Sequence, residues 1–234
     1  MKGENMGKEP DFMIHGIVKY TLGGQELWLT DTVISMAIIS LSLIVLGLAA
    51  KKTMKKASEV PAGFQNLLEA GVEMLEKMGT GIMGGRGRCF FNYVGSVFLI
   101  LLFCNLSGLA GLRPPTADFG TALFFGIATF GLVQYQGIKN RGVRHFSSLF
   151  QPIPLLFPIN LIGELTAPIS LSLRLFANLL SGVIIMGLWY GIMPLWANIG
   201  IPAVLHGYCD LFSGCIQAYV FCMLTMVYLQ DKME

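Results

Sequence analysis

An all-α, polytopic membrane protein is the fold class that the sequence predicts, on three observations. Of 234 residues, 54% are apolar and only 13% charged, with mean hydropathy +0.64. That is about half the charged share of a water-soluble domain, too little to coat a globular surface in water. The apolar residues form long runs separated by short polar stretches rich in Lys and Arg. Between residues 146 and 230 the only Asp, Glu, Lys or Arg side chains are Glu164, Arg174 and Asp210. These features argue against a soluble enzyme, and a net charge of +2 gives no footprint for nucleic acid. Cys89, Cys104, Cys209, Cys215 and Cys222 form no CxxC pair. They read as small buried hydrophobes, not as a disulfide framework or a zinc site.

Residues 1–31 are polar and mixed in charge, without the basic stretch, short apolar core and small-residue cleavage site of a signal peptide. They are expected to be an external segment with little structure, ahead of a single membrane domain over 32–234. Residues 32–50 carry no charge and would span roughly 28 Å as a helix, about one hydrocarbon thickness. After four lysines, residues 61–78 place Phe64, Leu67, Leu68, Val72, Leu75 and Met78 at helical spacing, opposite Gln65, Glu69, Glu73, Glu76 and Lys77. This is the pattern of an amphipathic helix on a membrane surface. A Gly-rich basic stretch, 79–88, is expected to close it. Residues 93–112 and 119–138 read as two further crossings joined by Arg113-Pro114-Pro115-Thr116-Ala117-Asp118, since paired prolines stop a helix.

Lys and Arg beside the crossings set the orientation. They cluster at Lys51, Lys52, Lys55, Lys56, Lys77, Arg86 and Arg88, and again at Lys139, Arg141 and Arg144, whereas the turn at 113–118 holds Arg113 alone. The two basic loops are therefore placed in the cytoplasm, and the turn and the N-terminal segment outside. His145, in the second basic loop, reads as solvated. Residues 153–193 would extend roughly 60 Å as one helix, twice the bilayer core. They are either two helices broken at Pro168 or one long tilted helix, and 195–229 poses the same question. No internal repeat is visible.

Arg174 is ten or more residues from either end of its apolar run, where a lone guanidinium costs about 2.5–3.5 kcal/mol on insertion scales. Ser170, Arg174, Asn178 and Ser181 are spaced 4, 4 and 3, so they share a helix face. His206, Asp210, Ser213 and Gln217 form a second stripe, which Thr225 and Tyr228 roughly extend. Interhelical hydrogen bonding explains Ser213 adequately. It explains Asp210 and Glu164 poorly, because a carboxyl buried in a membrane is a proton-exchanging group. One fixed cation and two titratable acids on facing stripes describe an ion path better than a packing seam. His206 and Asp210, four apart, lack a further ligand of the right type nearby, so a metal site is not expected.

PISLSLRLFANLLSG resembles the signature of subunit a of the F-type ATP synthase membrane sector. GLRPPTADFGTAL resembles that family's external turn, VPAGFQNLLEAGVEML its amphipathic cytoplasmic helix, and CIQAYVFCMLTMVYL its C-terminal helix. The likeness covers nearly the whole chain from about residue 28. It implies one vertical helix, one surface helix, a transmembrane hairpin, and then two long, tilted, antiparallel helices against a rotating ring of small two-helix subunits (the c-ring). It makes 153–193 a single inclined helix. It implies a multi-pass protein of the bacterial plasma membrane with its C-terminus in the cytoplasm, partnered by the ring, the peripheral-stalk subunit b and the other ATP synthase subunits.

On this resemblance Arg174 matches the essential arginine. A cation there favours the ionised form of each passing ring carboxylate, and a guanidinium does not release its own proton. A lysine would lose the planar fork and could deprotonate. Asn178 and Gln217 match polar positions beside it, with Gln217 expected to face Arg174 and help hold it. Glu164 is expected on the cytoplasmic half-channel, Asp210 and His206 on the external one, and Asp118 near the external mouth. The chain departs from the family at Val183, where many members carry an acid or His, and at Asp210, where many carry His or Glu. No cofactor is implied, nor catalysis by the chain itself, since it has no Gly-rich phosphate loop and no Walker lysine. Two other readings compete: a stand-alone secondary transporter whose Arg174 binds an anionic substrate, and an intramembrane enzyme using His206 and Asp210.

Overall fold

The computed structural model describes residues 16–22, 25–55, 63–84, 89–142, 155, 157–193 and 200–233. Lys56, Arg86, Arg88, Arg144 and His145 lie outside these, as do residues 1–15. The class read from the sequence holds. Among the described residues, five helices are long and apolar enough to cross a membrane: α1 (Asp31–Met54), α3 (Phe91–Leu106, continued by a 3-10 turn Ser107–Ala110), α4 (Phe119–Arg141), α5 (Phe157–Ile192) and α6 (Ile201–Met233). Between the first two lies α2 (Phe64–Met83).

One expectation fails at the start of the chain. The segment before α1 is not unstructured: β1 (Gly16–Leu22) and β2 (Gln25–Thr30) pair antiparallel, with Leu22 opposite Gln25 and an irregularity between Gly16 and Val18. The residues permit it, because Val, Tyr, Thr, Leu and Trp suit strands, and Gly23-Gly24 is a dipeptide that two-residue hairpin turns favour.

The amphipathic segment also differs. α2 continues through Gly79 and Gly81 to Met83, so the Gly-rich stretch does not end it at 78. Its apolar residues divide between two environments. Leu75, Met78, Ile82 and Met83 join the protein core, whereas Phe64, Leu67, Val72 and Met74 stay exposed. Gln65, expected on the polar face, is buried, and its amide donates to Glu69 one turn on. The far side keeps its polar character: Lys77, 2.7 Å from Glu73, holds that exposed carboxyl below its ordinary range by hydrogen bond and charge.

Pairs of contacts give the helix directions. Tyr190 meets His206, Asn178 meets Gln217, and Glu164 meets Lys232. Numbers fall along α5 as they rise along α6, so the two are antiparallel. α4 runs against α5 in the same way, with Phe119 stacked edge-on to Phe176 and Gln134 bonded to Glu164. α5 passes through Pro168 without ending, although a proline there removes the hydrogen bond to the Glu164 carbonyl. Gly126 of α4 accommodates that stretch: a Cβ on it would stand 2.8 Å from the Pro168 carbonyl oxygen.

The core gathers where α2, α3, α4, α5 and α6 meet, around Leu101, Leu175, Phe221 and Leu229, all fully buried. In a bilayer such a core is held by close packing and interhelical hydrogen bonds, since lipid tails are as apolar as leucine. Asn105 of α3 supplies the latter: its amide nitrogen donates to the Gly214 carbonyl of α6 at 2.8 Å, and its oxygen accepts from Thr116 at 3.1 Å. The 113–118 turn is polar in composition, yet Pro114 to Ala117 are buried. α1 stands apart, with Leu41, Ile44, Val45 and Leu48 exposed as lipid-facing residues would be.

Candidate functional site

Three polar stations are strung between α5 and α6. The middle one is at Arg174, which is 17 residues from Phe157 and 18 from Ile192 and so halfway along α5. Its side chain is exposed on the helix surface, and among the described residues no carboxylate pairs with it. Asn178, one turn further along, donates its amide to Gln217 Oε1 at 2.7 Å. Gln217 is buried, and its Nε2 has no hydrogen-bond partner among the described residues. Among the described residues Gln217 accepts from Asn178, and no hydrogen bond provides the expected hold of Gln217 on Arg174. Ser170 lies half-buried on the same stretch of α5, and the Ser181 hydroxyl turns back onto the Asn178 carbonyl at 2.8 Å.

At one end of α6, His206 Nδ1 lies 2.6 Å from an Asp210 carboxylate oxygen, and His206 Nε2 lies 3.4 Å from the Tyr190 hydroxyl of α5. Asp210 is buried within a stretch of π-helix, Gly207–Phe212. Such widened turns re-aim side chains and recur at functional positions. The carboxylate is seated against Gly108 at the end of α3, where a Cβ would stand 2.8 Å from Asp210 Oδ2. Glycine is needed at 108 for this approach rather than for backbone freedom. Asp118 belongs to a different contact. One oxygen accepts from Thr32 at the start of α1 and the other lies 3.5 Å from Arg113, so the side chain ties the 113–118 turn to α1.

At the opposite end of the pair, Glu164 receives the ammonium of Lys232 and, at 2.9 Å, the amide of Gln134 from α4. These residues line a cavity of about 630 Å³ between α4, α5 and α6, together with Asn160, Pro168 and Tyr228. From Tyr190 through Asn178 to Glu164 the stations cover 26 residues of α5, roughly 39 Å. They differ in their third neighbour: α3 at Asp210, α4 at Glu164.

The family model described as ATP synthase A chain matches residues 32–230. The chain belongs to that family. It is 36% identical over 220 residues to ATP synthase subunit a, sodium ion specific, of Propionigenium modestum, covering 87% of this chain and 74% of that protein. It is 37% identical over 179 residues to ATP synthase subunit a of Moorella thermoacetica, covering 76% and 80%. To ATP synthase subunit a 1 of Syntrophotalea carbinolica it is 35% identical over 185 residues, 77% of each. Within an ATP synthase A chain, the residues that sequence reasoning did not single out are Tyr190, Gln134, Gly108 and Lys232. Each lies on a helix other than that of the acid or histidine it touches, so only the register between helices reveals it.

Proposed function

We propose that this chain is the stator subunit of the F-type ATP synthase membrane sector, in which two offset half-channels and Arg174 couple the flow of a proton or sodium ion to rotation of the c-ring. ATP is made or hydrolysed elsewhere in the complex, and this chain moves the ion. It sits as a multi-pass protein in the bacterial plasma membrane with its N-terminal segment outside and its C-terminus in the cytoplasm. It contacts the ring along α5 and is held by the peripheral-stalk subunit b.

The observation that carries this reading is the bare guanidinium at the midpoint of α5. An arginine used for packing would be paired, because a buried charge without a partner is costly. One left exposed on a helix surface at mid-membrane depth invites a carboxylate from another molecule. As a ring carboxylate arrives, the cation stabilises its ionised form and the coupling ion must leave. Arg174 cannot take that ion itself. Asn178 and Gln217 frame the position with amide donors.

The half-channels follow from the stations on either side. His206 and Asp210, with Tyr190, form the external path beside α3, and Glu164 heads the cytoplasmic path in the cavity beside α4. The different third helix at each station supports two offset paths, with the ion crossing between them on the ring. Val183 leaves the external path without an acid on α5, and the His206–Asp210 dyad on α6 supplies its titratable groups. Asp118 stands at the external face, holding the turn.

Replacing Arg174→Ala in the assembled complex should abolish ATP-driven pumping while the complex still assembles. Normal pumping by that variant would refute the reading. Transport by the isolated polypeptide in liposomes would favour the stand-alone transporter instead.

A further inference from the structure

Lys232 has no part in the ion path described above, yet its environment is unusual for a lysine in the last turn of a helix. Its side chain is only 14% exposed, and that of its partner Glu164 21%. The Asn140 amide nitrogen of α4 lies 3.5 Å from its backbone carbonyl oxygen, so the turn bearing it is held close to α4 as well as α5. Among the described residues, the charged side chains lining the cavity are Glu164 from α5 and Asp231 and Lys232 from α6; Tyr228 is the other titratable group, and α4 contributes the neutral Gln134. Without the ammonium the Glu164 carboxylate, only 21% exposed, would draw an approaching cation more strongly, because the attraction grows where water is partly excluded; Asp231 is exposed.

We propose that Lys232 is a positioning residue for the cytoplasmic path: it fixes the Glu164 carboxylate against the cavity wall and weakens the cavity's hold on the coupling cation, so that the ion passes and does not lodge. This rests on the placement of Glu164 in that path. A lysine serving only to staple α6 to α5 would alter assembly and stability, and would leave the cavity's hold on a cation as it is. The pair therefore separates from a staple in a saturation measurement.

The test uses the membrane sector of the complex, reconstituted in vesicles after the catalytic sector is stripped away. Voltage-driven flux is measured against the concentration of the coupling cation on the cytoplasmic side. Lys232→Met should lower the half-saturating concentration by about fivefold, the effect of losing one partly exposed ion pair, and should lower the maximal flux because release is slowed. Half-saturation from the external side should not move. Lys232→Arg should behave as wild type, and the double variant Lys232→Met with Glu164→Gln should lose the tighter binding. Should Lys232→Met fail to assemble, Lys232→Gln serves in its place: a lowered half-saturating concentration supports the proposal, and an unchanged one overturns it. Unchanged half-saturation in an assembled Lys232→Met complex also overturns it. If Glu164→Gln itself leaves cytoplasmic-side flux untouched, the placement of Glu164 fails. If Glu164→Gln changes that flux and Lys232→Met does not, only the role of Lys232 falls.

Discussion

Gly108 and Asp210 illustrate how tightly a single atom is specified beside His206. The carboxylate occupies the space that a methyl group on residue 108 would take. Gly108→Ala should therefore push Asp210 away from His206, and misplacement by about 1 Å at a working group lowers rates by roughly tenfold or more. Flux measured from the external side should fall, while assembly is kept and cytoplasmic-side half-saturation is unaltered. Arg174, Asp210 and Glu164 were legible in the sequence because each is a charge in an apolar run, and such a charge is expensive enough to need a reason. Asn178 and Gln217 were legible as members of helical stripes. Tyr190 and Lys232 were not, because a tyrosine in an apolar helix and a lysine in a last turn are both ordinary locally. Their partners are 16 and 68 residues away in the chain.

Between helices, the closest approach that substitution can probe is that of α4 to α5. Gly126 faces the Pro168 carbonyl and the Ser172 hydroxyl, and that hydroxyl itself donates to Pro168 at 2.8 Å. Gly126→Ala overfills this seam and should destabilise the fold by about 1–3 kcal/mol, read as a lower thermal midpoint of the purified membrane sector. Adding Ser172→Ala should recover only part of the loss, because the backbone carbonyl stays in the way. The spans themselves were legible from hydropathy, since each run without charge is long enough to cross. Pro168 left the continuity of α5 open at the level of residues alone: a proline kinks or ends a helix according to its neighbours, and here the neighbour is a glycine 42 residues earlier. The hairpin before α1 is hidden in a segment of mixed polarity, although Gly23-Gly24 between two strand-forming runs carries a signal for it. The burial of Gln65 is not legible in the sequence, because periodicity alone says nothing of which flank of α2 meets α3 and α6.

Taken whole, the molecule places two helices of unusual length side by side. α5 has 36 residues and α6 spans 33, roughly 54 and 50 Å of helix against about 30 Å of hydrocarbon. Upright, each would carry apolar turns into water; leaning enough to hide them all would exceed the tilts common in membranes. Lipid chain length then acts as a lever on the pair. In thicker bilayers the helices should stand straighter, and the guanidinium should shift sideways relative to any rotor alongside. Coupled pumping in vesicles of graded acyl length should pass through an optimum, and should decline on either side of it before the complex comes apart. The mismatch makes the motor a gauge of the membrane that houses it.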